Sequence, residues 1–484
     1  MRYPYGSTVL LLAATLLCGF SPTYAQETVD LIVLHINDSH GSLEPVLGSD
    51  STRYGGAVHA AALIQDIRRQ TPDRVLLLHA GDLFSRGDPV VAFSGGGANL
   101  EILERIGVDA LTPGNGDFYF GVENLVEQTA HVDFPVLHAN IRHEETGTRL
   151  FPAYTMLEVS GVRVAILGLG NVRMGHHSAR ALELLNPIEV ARQFAPVLRP
   201  QADLLIVLSH LGTVNDTALA SAVPEIDLIV GGHSHTRLDS LFRVSRPPNP
   251  VAIGVAQASP RYAAVGRVDV RMRRTEDGYS VERLDGRLLP VTSDIPRDPD
   301  VESVLAEYEQ QMNEVVATLD STLVSPDEGY DPLGELVAVS MRWVTGADIS
   351  MVHRGWVGDS LEAGPVTMED VIRVHSAREP VLTAKLKGSR VTRLGQLTRR
   401  LFSGCDIEDS TVVRIGGAAV DTNAFYTLAA TAYAFNSVDA LEGVTTSRTG
   451  YRIDTAIERY LRMNGSGQAQ QTRHRLPNPW QDEW

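Results

Sequence analysis

The sequence predicts a layered α/β protein made of two consecutive α/β units, and three observations carry that reading. From about residue 28 to residue 291, short β-branched runs alternate with segments of helical periodicity, the pattern of sheets with helices packed outside them. The chain has 484 residues, 43% of them hydrophobic, enough for two domains with substantial cores. A polar, helix-prone stretch at 298–319 separates the first unit from a second one at about 321–463.

Strands are expected at 30–36, 74–78, 110–112, 135–139, 162–169, 203–208 and 226–230, each an apolar run rich in β-branched residues. Residues 56–70 read as a helix. Ala61, Ile64 and Ile67 share one stripe, and Arg68-Arg69 sit near the end, where positive charge complements the helix dipole. Residues 98–106, 122–128 and 187–198 are further helix candidates. The stretches 251–257, 263–272 and 279–290 alternate more like antiparallel strands. Val304, Leu305, Tyr308 and Met312 form an apolar stripe, which predicts a connector helix over 296–320. Residues 464–484, rich in Gln, Pro and polar side chains, are expected to fray.

The formal net charge is −17 and the isoelectric point about 5.3. That balance argues against nucleic-acid polymers and anionic membranes as partners, since both favour a basic footprint. It leaves room for a small phosphorylated substrate, because bound cations outweigh the global field locally. Arg2, an apolar run from Val9 to Phe20, and Thr23 and Ala25 before Gln26 read as a secretory signal peptide over residues 1–25. The run is short for a bilayer span, so no stable membrane insertion is expected after cleavage. Bulky Leu17 before Cys18 fits lipidation poorly, and cleavage would leave Cys405 alone, without an intramolecular disulfide. The mature chain is expected to be periplasmic or secreted.

The chemistry gathers where strand-like runs end. Val33-Leu34-His35 leads into Asp38-x-His40, and the run 75–78 leads into Gly81-Asp82. Gly114-Asn115 follows, then Ser209-His210 after the run 205–208, then Gly231-Gly232-His233-Ser234-His235. Divalent metals want carboxylate oxygens and neutral imidazoles on rigid supports, and strand ends are rigid. Taken singly, Asp82 could be a helix cap and Asn115 a turn residue. Two Asp, one Asn and four His in this order amount to a two-metal hydrolase site.

These motifs resemble those of the calcineurin-like metallophosphoesterases, and more closely those of the exported 5'-nucleotidases, which read L-H-x-N-D-x-H-G, G-D, G-N-H-E-F, S-H-x-G and G-G-H-x-H. Here the first reads Leu34-His35-Ile36-Asn37-Asp38-Ser39-His40-Gly41 and the last Gly231-Gly232-His233-Ser234-His235-Thr236. The resemblance covers nearly the whole mature chain and is specific in its first half. It implies a four-layer metallophosphoesterase-type sandwich over 26–295, then a smaller α/β substrate domain of the 5'-nucleotidase C-terminal type over 321–463. Asp38, His40, Asp82 and His235 would hold one divalent metal, and Asp82 would bridge to a second held by Asn115, His210 and His233. Manganese, zinc, iron and cobalt all suit such mixed ligation. The implied reaction is hydrolysis of a phosphomonoester, nucleotides among them, by metal-bound hydroxide, with the substrate between the two domains.

Several positions depart from the family pattern. The family's G-N-H-E-F-D becomes Gly114-Asn115-Gly116-Asp117-Phe118-Tyr119. Gly116 stands where the family has a catalytic histidine, and Tyr119 where an Asp orients it. A positioned acid contributes typically about two to four orders of magnitude in rate, so ordinary phosphomonoesters are expected to react slowly unless another group substitutes. His138 is one candidate substitute, although a loop histidine of no consequence is the commoner case. Asp117, replacing the family's Glu, joins Asp82 and Asn115 among the expected catalytic-site residues by supporting a ligand from behind. His35 and His79 read as core histidines.

In the second half, the stretch 361–371 resembles the family's G-x-I-T-x-x-D-V segment, and Leu386-Lys387-Gly388 its L-K-G. The family's N-G-G-G-I-R loop becomes His353-Arg354-Gly355-Trp356-Val357-Gly358, with Gly358 at the arginine position and Arg354 as the residue that would restore the charge. Arg354 and Trp356 are therefore expected substrate contacts. Tyr433 and Phe435 are the candidates to stack on a base, with core packing the commoner case for either. Two further readings stay open. The thiosulfohydrolases of sulfur oxidation use the same scaffold without the usual histidine, and their loop is faintly similar to Arg354-Gly355-Trp356. A binding protein that kept its metals and lost catalysis is the other.

Overall fold

The computed structural model describes residues 28–465 apart from 49–50, 85–86, 172–180, 359 and 376–378. The expected signal segment and nearly all of the C-terminal tail lie outside the described residues. Among the described residues, no helix is long and apolar enough to cross a membrane.

The first unit opens with strands β1 (Thr28–Ile36), β2 (Val75–His79) and β3 (Ala110–Leu111). Six more follow: β4 (Tyr154–Val159), β5 (Val162–Gly170), β6 (Leu204–His210), β7 (Leu228–Gly231), β8 (Phe242–Arg246) and β9 (Asn249–Gln257). Two long strands, β10 (Ala264–Thr275) and β11 (Gly278–Pro290), close it. They form two sheets, in the orders β11-β10-β1-β2-β3 and β8-β9-β7-β6-β5-β4. In the first sheet β1, β2 and β3 run parallel, with β10 and β11 antiparallel on the far side of β1; in the second β5, β6, β7 and β9 run parallel between antiparallel edge strands β4 and β8. All seven residues of β6 are buried, as expected of a parallel strand covered on both faces.

Leu31, Val33 and Leu78 of one sheet pack with Ile166, Ile206 and Val230 of the other, which makes the central core. Helices α1 (Ala57–Gln70), α2 (Gly97–Ile106) and α3 (Val122–Thr129) cover the outside of the first sheet. Helices α4 (Pro187–Leu198) and α5 (Thr213–Ala222) cover the outside of the second. The result is a four-layer helix–sheet–sheet–helix sandwich. Its parallel strands end together, with Ile36 opposite His79 and Gly170 opposite His210. Ligand sites in such folds form just beyond those carboxyl ends.

Two expectations change. Residues 135–139 do not form a strand; they make a single bridge to Leu111 at Val136, because Pro135 brings no N–H to a ladder. The connector is helical only over α6 (Pro299–Met312), capped by the Asp298 carboxylate, which accepts from the amides of Asp300 and Val301. Val301, Val304, Leu305 and Met312 pack into the core beneath α1 and α2, so this helix belongs to the first unit. Residues Val315–Leu319 instead pair as a strand with Gly364–Thr367. The β-branched side chains of Val315, Val316 and Thr318 favour that outcome.

The second unit has the sheet strands β12 (Ile349–His353), β13 (Pro380–Lys387), β14 (Arg400–Ser403), β15 (Phe425–Thr431) and β16 (Ser447–Arg452), in the order β14-β12-β15-β13-β16. Helices α7 (Pro332–Thr345) and α8 (Ile453–Asn464) pack on one face through Leu336, Val337, Ile457 and Leu461. Met351, Leu394 and Leu428 build a separate core on the other face. Phe93 packs against both the first unit's core and the second's, and Arg452 Nη1 donates to Asn124 Oδ1 across the junction at 3.3 Å.

Candidate metal centre

The strand ends bring the seven expected ligand residues together. Asp38 and His40 follow β1, Asp82 follows β2, Asn115 opens the turn after β3, His210 ends β6, and His233 and His235 follow β7. One ligand atom from each of Asp38, His40, Asp82 and His235 lies within 4.8 Å of all the others. His40 Nε2 is 2.8 Å from His235 Nε2, and His235 Nε2 is 3.5 Å from Asp38 Oδ1. Two ring nitrogens at that distance repel unless a proton or a cation stands between them.

Asp82 faces both ways. Its Oδ2 lies 3.9 Å from His40 Nε2 and its Oδ1 3.2 Å from His210 Nε2. The His210 ring meets that of His233 edge-on, with centroids 5.1 Å apart. His210 Nε2 and Asn115 Oδ1 are buried and make no aligned hydrogen bond, a state that needs an explanation in a well-packed interior. A cation satisfies both, so the donor set fits divalent metal.

The backbone is strained here. Asp38, His40, Asp82, His233 and His235 have φ of 50°, 46°, 57°, 79° and 54°. Such conformations each cost about 1–3 kcal/mol and gather at functional sites. A Cβ on Gly114 would lie 2.4 Å from Asp82 Oδ1 and 2.5 Å from His210 Nε2, so the approach of these two ligands requires glycine.

A second layer fixes the ligands. Asn37 Nδ2 donates to Asp38 Oδ2 at 2.7 Å, and the His233 amide donates to both Asp38 oxygens at 3.0 Å. His210 Nδ1 donates to the Ala80 carbonyl at 2.6 Å, which aims Nε2 at the site. His79 accepts the Gly81 N–H on Nδ1 and reaches Ser39 Oγ through Nε2, each at 3.1 Å. It is a bonded core histidine, as expected, and His35 is likewise buried.

The field suits cations. Burial opposes the charge on Asp82, yet His210, the Gly116 amide and His40 outweigh it and hold the carboxyl well below its usual range. Burial likewise opposes a proton on His210, but Asp82, Asp38 and the Ala80 carbonyl push its pKa up to about 10. Burial lowers the pKa of His40 and of His233, which favours the neutral rings that metals need.

The remaining expected residues fall elsewhere. Asp117 is buried, and its carboxylate accepts the backbone N–H groups of Asp82, Leu83, Phe84 and Gly114. It braces the ligand loops and has no free edge toward a substrate. His138 is fully buried, and burial drives its pKa down to about 3, the environment of a core histidine. Gly116 offers only its amide, which donates to Asp82 Oδ1 at 2.6 Å.

In the second unit, Arg354 is committed to the Asp331 carboxylate at 3.1 Å and to the Asp327 and Gly329 carbonyls at 2.9 Å. It pins a loop. Phe435 takes the core-packing alternative. It is 7% exposed and packs in a core, so it has no face for a base. Trp356 is 40% exposed, meets Tyr433 edge-on with centroids 5.5 Å apart, and stacks near His375 at 6.4 Å. Around this cluster, Arg400 pairs across the sheet with His353, and His375 is buried behind Trp356. Both read as ordinary residues, and no local pattern marks them.

Residues 31–237 match the calcineurin-like phosphoesterase model, and residues 315–394 match the 5'-nucleotidase, C-terminal domain model. Protein UshA of Yersinia enterocolitica is 27% identical over 501 residues, spanning 89% of this chain and 90% of that protein. The crystal structure of a 5'-nucleotidase precursor from Thermus thermophilus superposes with a TM-score of 0.54 at 25% identity, over 90% of this chain and 96% of that one. The sulfate thiohydrolase SoxB of the same organism shares the fold, with a TM-score of 0.53 at 20% identity over 90% of this chain and 94% of that one. Both domains and the ligand-bearing strand ends agree with one family: the chain belongs to the 5'-nucleotidase type of calcineurin-like phosphoesterases, which are metal-dependent phosphoric ester hydrolases.

Proposed function

We propose that this chain is an exported hydrolase of phosphomonoesters, nucleotides among them, working with two divalent metal ions. The observation that carries the reading is the Asp82 carboxylate, with one oxygen toward His40 and the other toward His210. Asp38, His40 and His235 would complete one site, and Asn115, His210 and His233 the other. Manganese, zinc, iron and cobalt all suit these donors. When bound, such ions supply Lewis acidity and an ionised water at neutral pH.

The protein's own residues supply placement. Asn37, Asp117 and the Ala80 carbonyl hold ligand atoms in fixed directions. Trp356 and Tyr433 would receive a base in the second unit, which we assign as the substrate domain over 321–463, with the metal domain at 26–295. The leaving oxygen meets no histidine at Gly116, so activated esters should react faster than alkyl ones. Export is supported by the apolar, small-residue start of the sequence and by the precursor form of the similar Thermus thermophilus 5'-nucleotidase.

The test is hydrolysis of nucleotides and an activated aryl phosphate by the mature chain in manganese or zinc, beside Asp82→Asn. Metal-dependent activity lost in the variant supports the reading. Gly116 also favours a second reading, a sulfur-ester hydrolase, because a thiolate leaving group of low pKa needs no proton donor. Turnover of a thiosulfonate ester, with none of any phosphoester, would replace the first reading by the second. Metal binding without turnover of either would leave a binding protein.

A further inference from the structure

The buried carboxylate of Asp216 has no part in the chemistry described so far. It lies in the first turn of α5 and is fully buried. Its Oδ1 accepts from Ser209 Oγ at 2.5 Å, and its Oδ2 has no hydrogen-bond partner. A Cβ on Gly231 would lie 2.3 Å from that Oδ2, so the carboxylate rests against the Gly231 backbone. Ser209 immediately precedes His210, and Gly231 stands two residues before His233. One side chain therefore touches the tips of both strands that deliver the second ligand pair.

Burying a carboxylate on a single hydrogen bond is costly. Burial pushes the Asp216 pKa up to about 7, against the opposing pull of Ser209 and His210. A helix N-terminus alone would be served as well by an exposed acid in the first turn. It does not require this one to lie wedged between β6 and β7. The placement is explained if the wedge itself is the role.

We infer that Asp216 is a positioning residue for the second metal ion, locking Ser209 to α5 and filling the notch at Gly231 so that His210 and His233 converge on one ion. The inference rests on the two-ion reading. The other ion would be held by Asp38, His40 and His235, which the Asp216 carboxylate does not touch, so the larger effect falls on the second site. Outer partners of this kind typically change metal affinity by about 10–100-fold.

The test titrates the metal-free full mature chain with Mn2+, counting bound ions by equilibrium dialysis and recording the paramagnetic resonance spectrum, in which neighbouring ions couple. Wild type should bind two ions and show the coupled spectrum. Ser209→Ala and Asp216→Ala should keep one tight ion, weaken the other by about 10–100-fold and show an isolated-ion spectrum. Asp216→Asn, which retains the acceptor for Ser209, should recover the coupled spectrum. Two tight, coupled ions in both alanine variants would overturn the inference, as would equal weakening of both ions in Ser209→Ala alongside a fallen melting temperature. Wild type binding only one ion would instead overturn the two-ion reading, and this inference with it.

Discussion

Asp117 holds Asp82 from behind: its Oδ2 accepts the Asp82 backbone N–H at 2.9 Å and the Gly114 N–H at 2.7 Å. Its Oδ1 takes Leu83 and Phe84. One carboxylate thus welds the loop that carries Asp82 to the loop that carries Asn115. In Asp117→Asn an amide would point N–H groups at N–H groups. The expected loss is about 1–3 kcal/mol for each buried donor left unpaired, with metal affinity down about 10–100-fold. Denaturant unfolding of the metal-free variant and a metal titration measure the two effects. Unchanged values in both would remove Asp117 from the site.

Gly114 separates packing from backbone strain. Its φ is −99°, which any residue adopts, so Gly114→Ala adds only a methyl group. That methyl would sit between Asp82 Oδ1 and His210 Nε2. The variant should fold, about 1–3 kcal/mol less stable through overpacking, and bind fewer metal ions. Full metal content in Gly114→Ala would show that Asp82 and His210 do not share an ion.

Protonation of His210 gives the metal-free protein a definite pH response. Its folded pKa, about 10, lies above its ordinary value of 6.5. The stability it contributes is therefore fully present below about pH 6.5 and is lost as pH rises through about 10. A metal must displace that proton, so affinity should climb with pH over the same window. Calorimetry at pH 8 in buffers of different ionisation enthalpy should report about one proton released as the second ion binds. Heats independent of the buffer would contradict it.

Trp356 and Phe435 should part company. Trp356→Ala should raise KM for nucleotides by about 10-fold, from about 1–3 kcal/mol of lost base stacking, and leave KM for an aryl phosphate unchanged. Phe435→Ala should instead lower stability by about 3–5 kcal/mol through a core cavity, with both KM values kept. Steady-state kinetics beside thermal melts would check the pair.

The metal ligands were legible because each sits at a strand end in a short motif, and parallel strands that end together must bring their tips together. Burial of β6 and the antiparallel pairing of β10 with β11 were legible from periodicity. Asp216 was not, because its meaning depends on which distant backbone it touches. Arg354 shows the same limit: a loop arginine reads as a free charge until its partner, Asp331 on the preceding segment, is seen in place. Residues 315–319 misled because helical propensity of the flanking sequence hid a strand whose partner lies about fifty residues on.

The missing imidazole yields the most discriminating prediction. Gly116 uses its backbone N–H on Asp82, a bond that a side chain at the same position need not disturb. Gly116→His would restore a proton donor beside Asn115, without the Asp that orients it, since position 119 is Tyr. A positioned acid is worth about two to four orders of magnitude, so an unoriented one should recover about 10-fold at the low end of that scale. The gain should appear with alkyl phosphates such as nucleotides, whose leaving oxygen needs the proton. It should be absent with a nitrophenyl ester, whose leaving group does not. The ratio of kcat/KM for the two substrates therefore rises in the variant while metal content stays constant. An equal gain on both esters would mean that the histidine stabilises the phosphoryl oxygens instead of the leaving group. No gain on either, with metals bound, would place the proton donor of this chain at another residue.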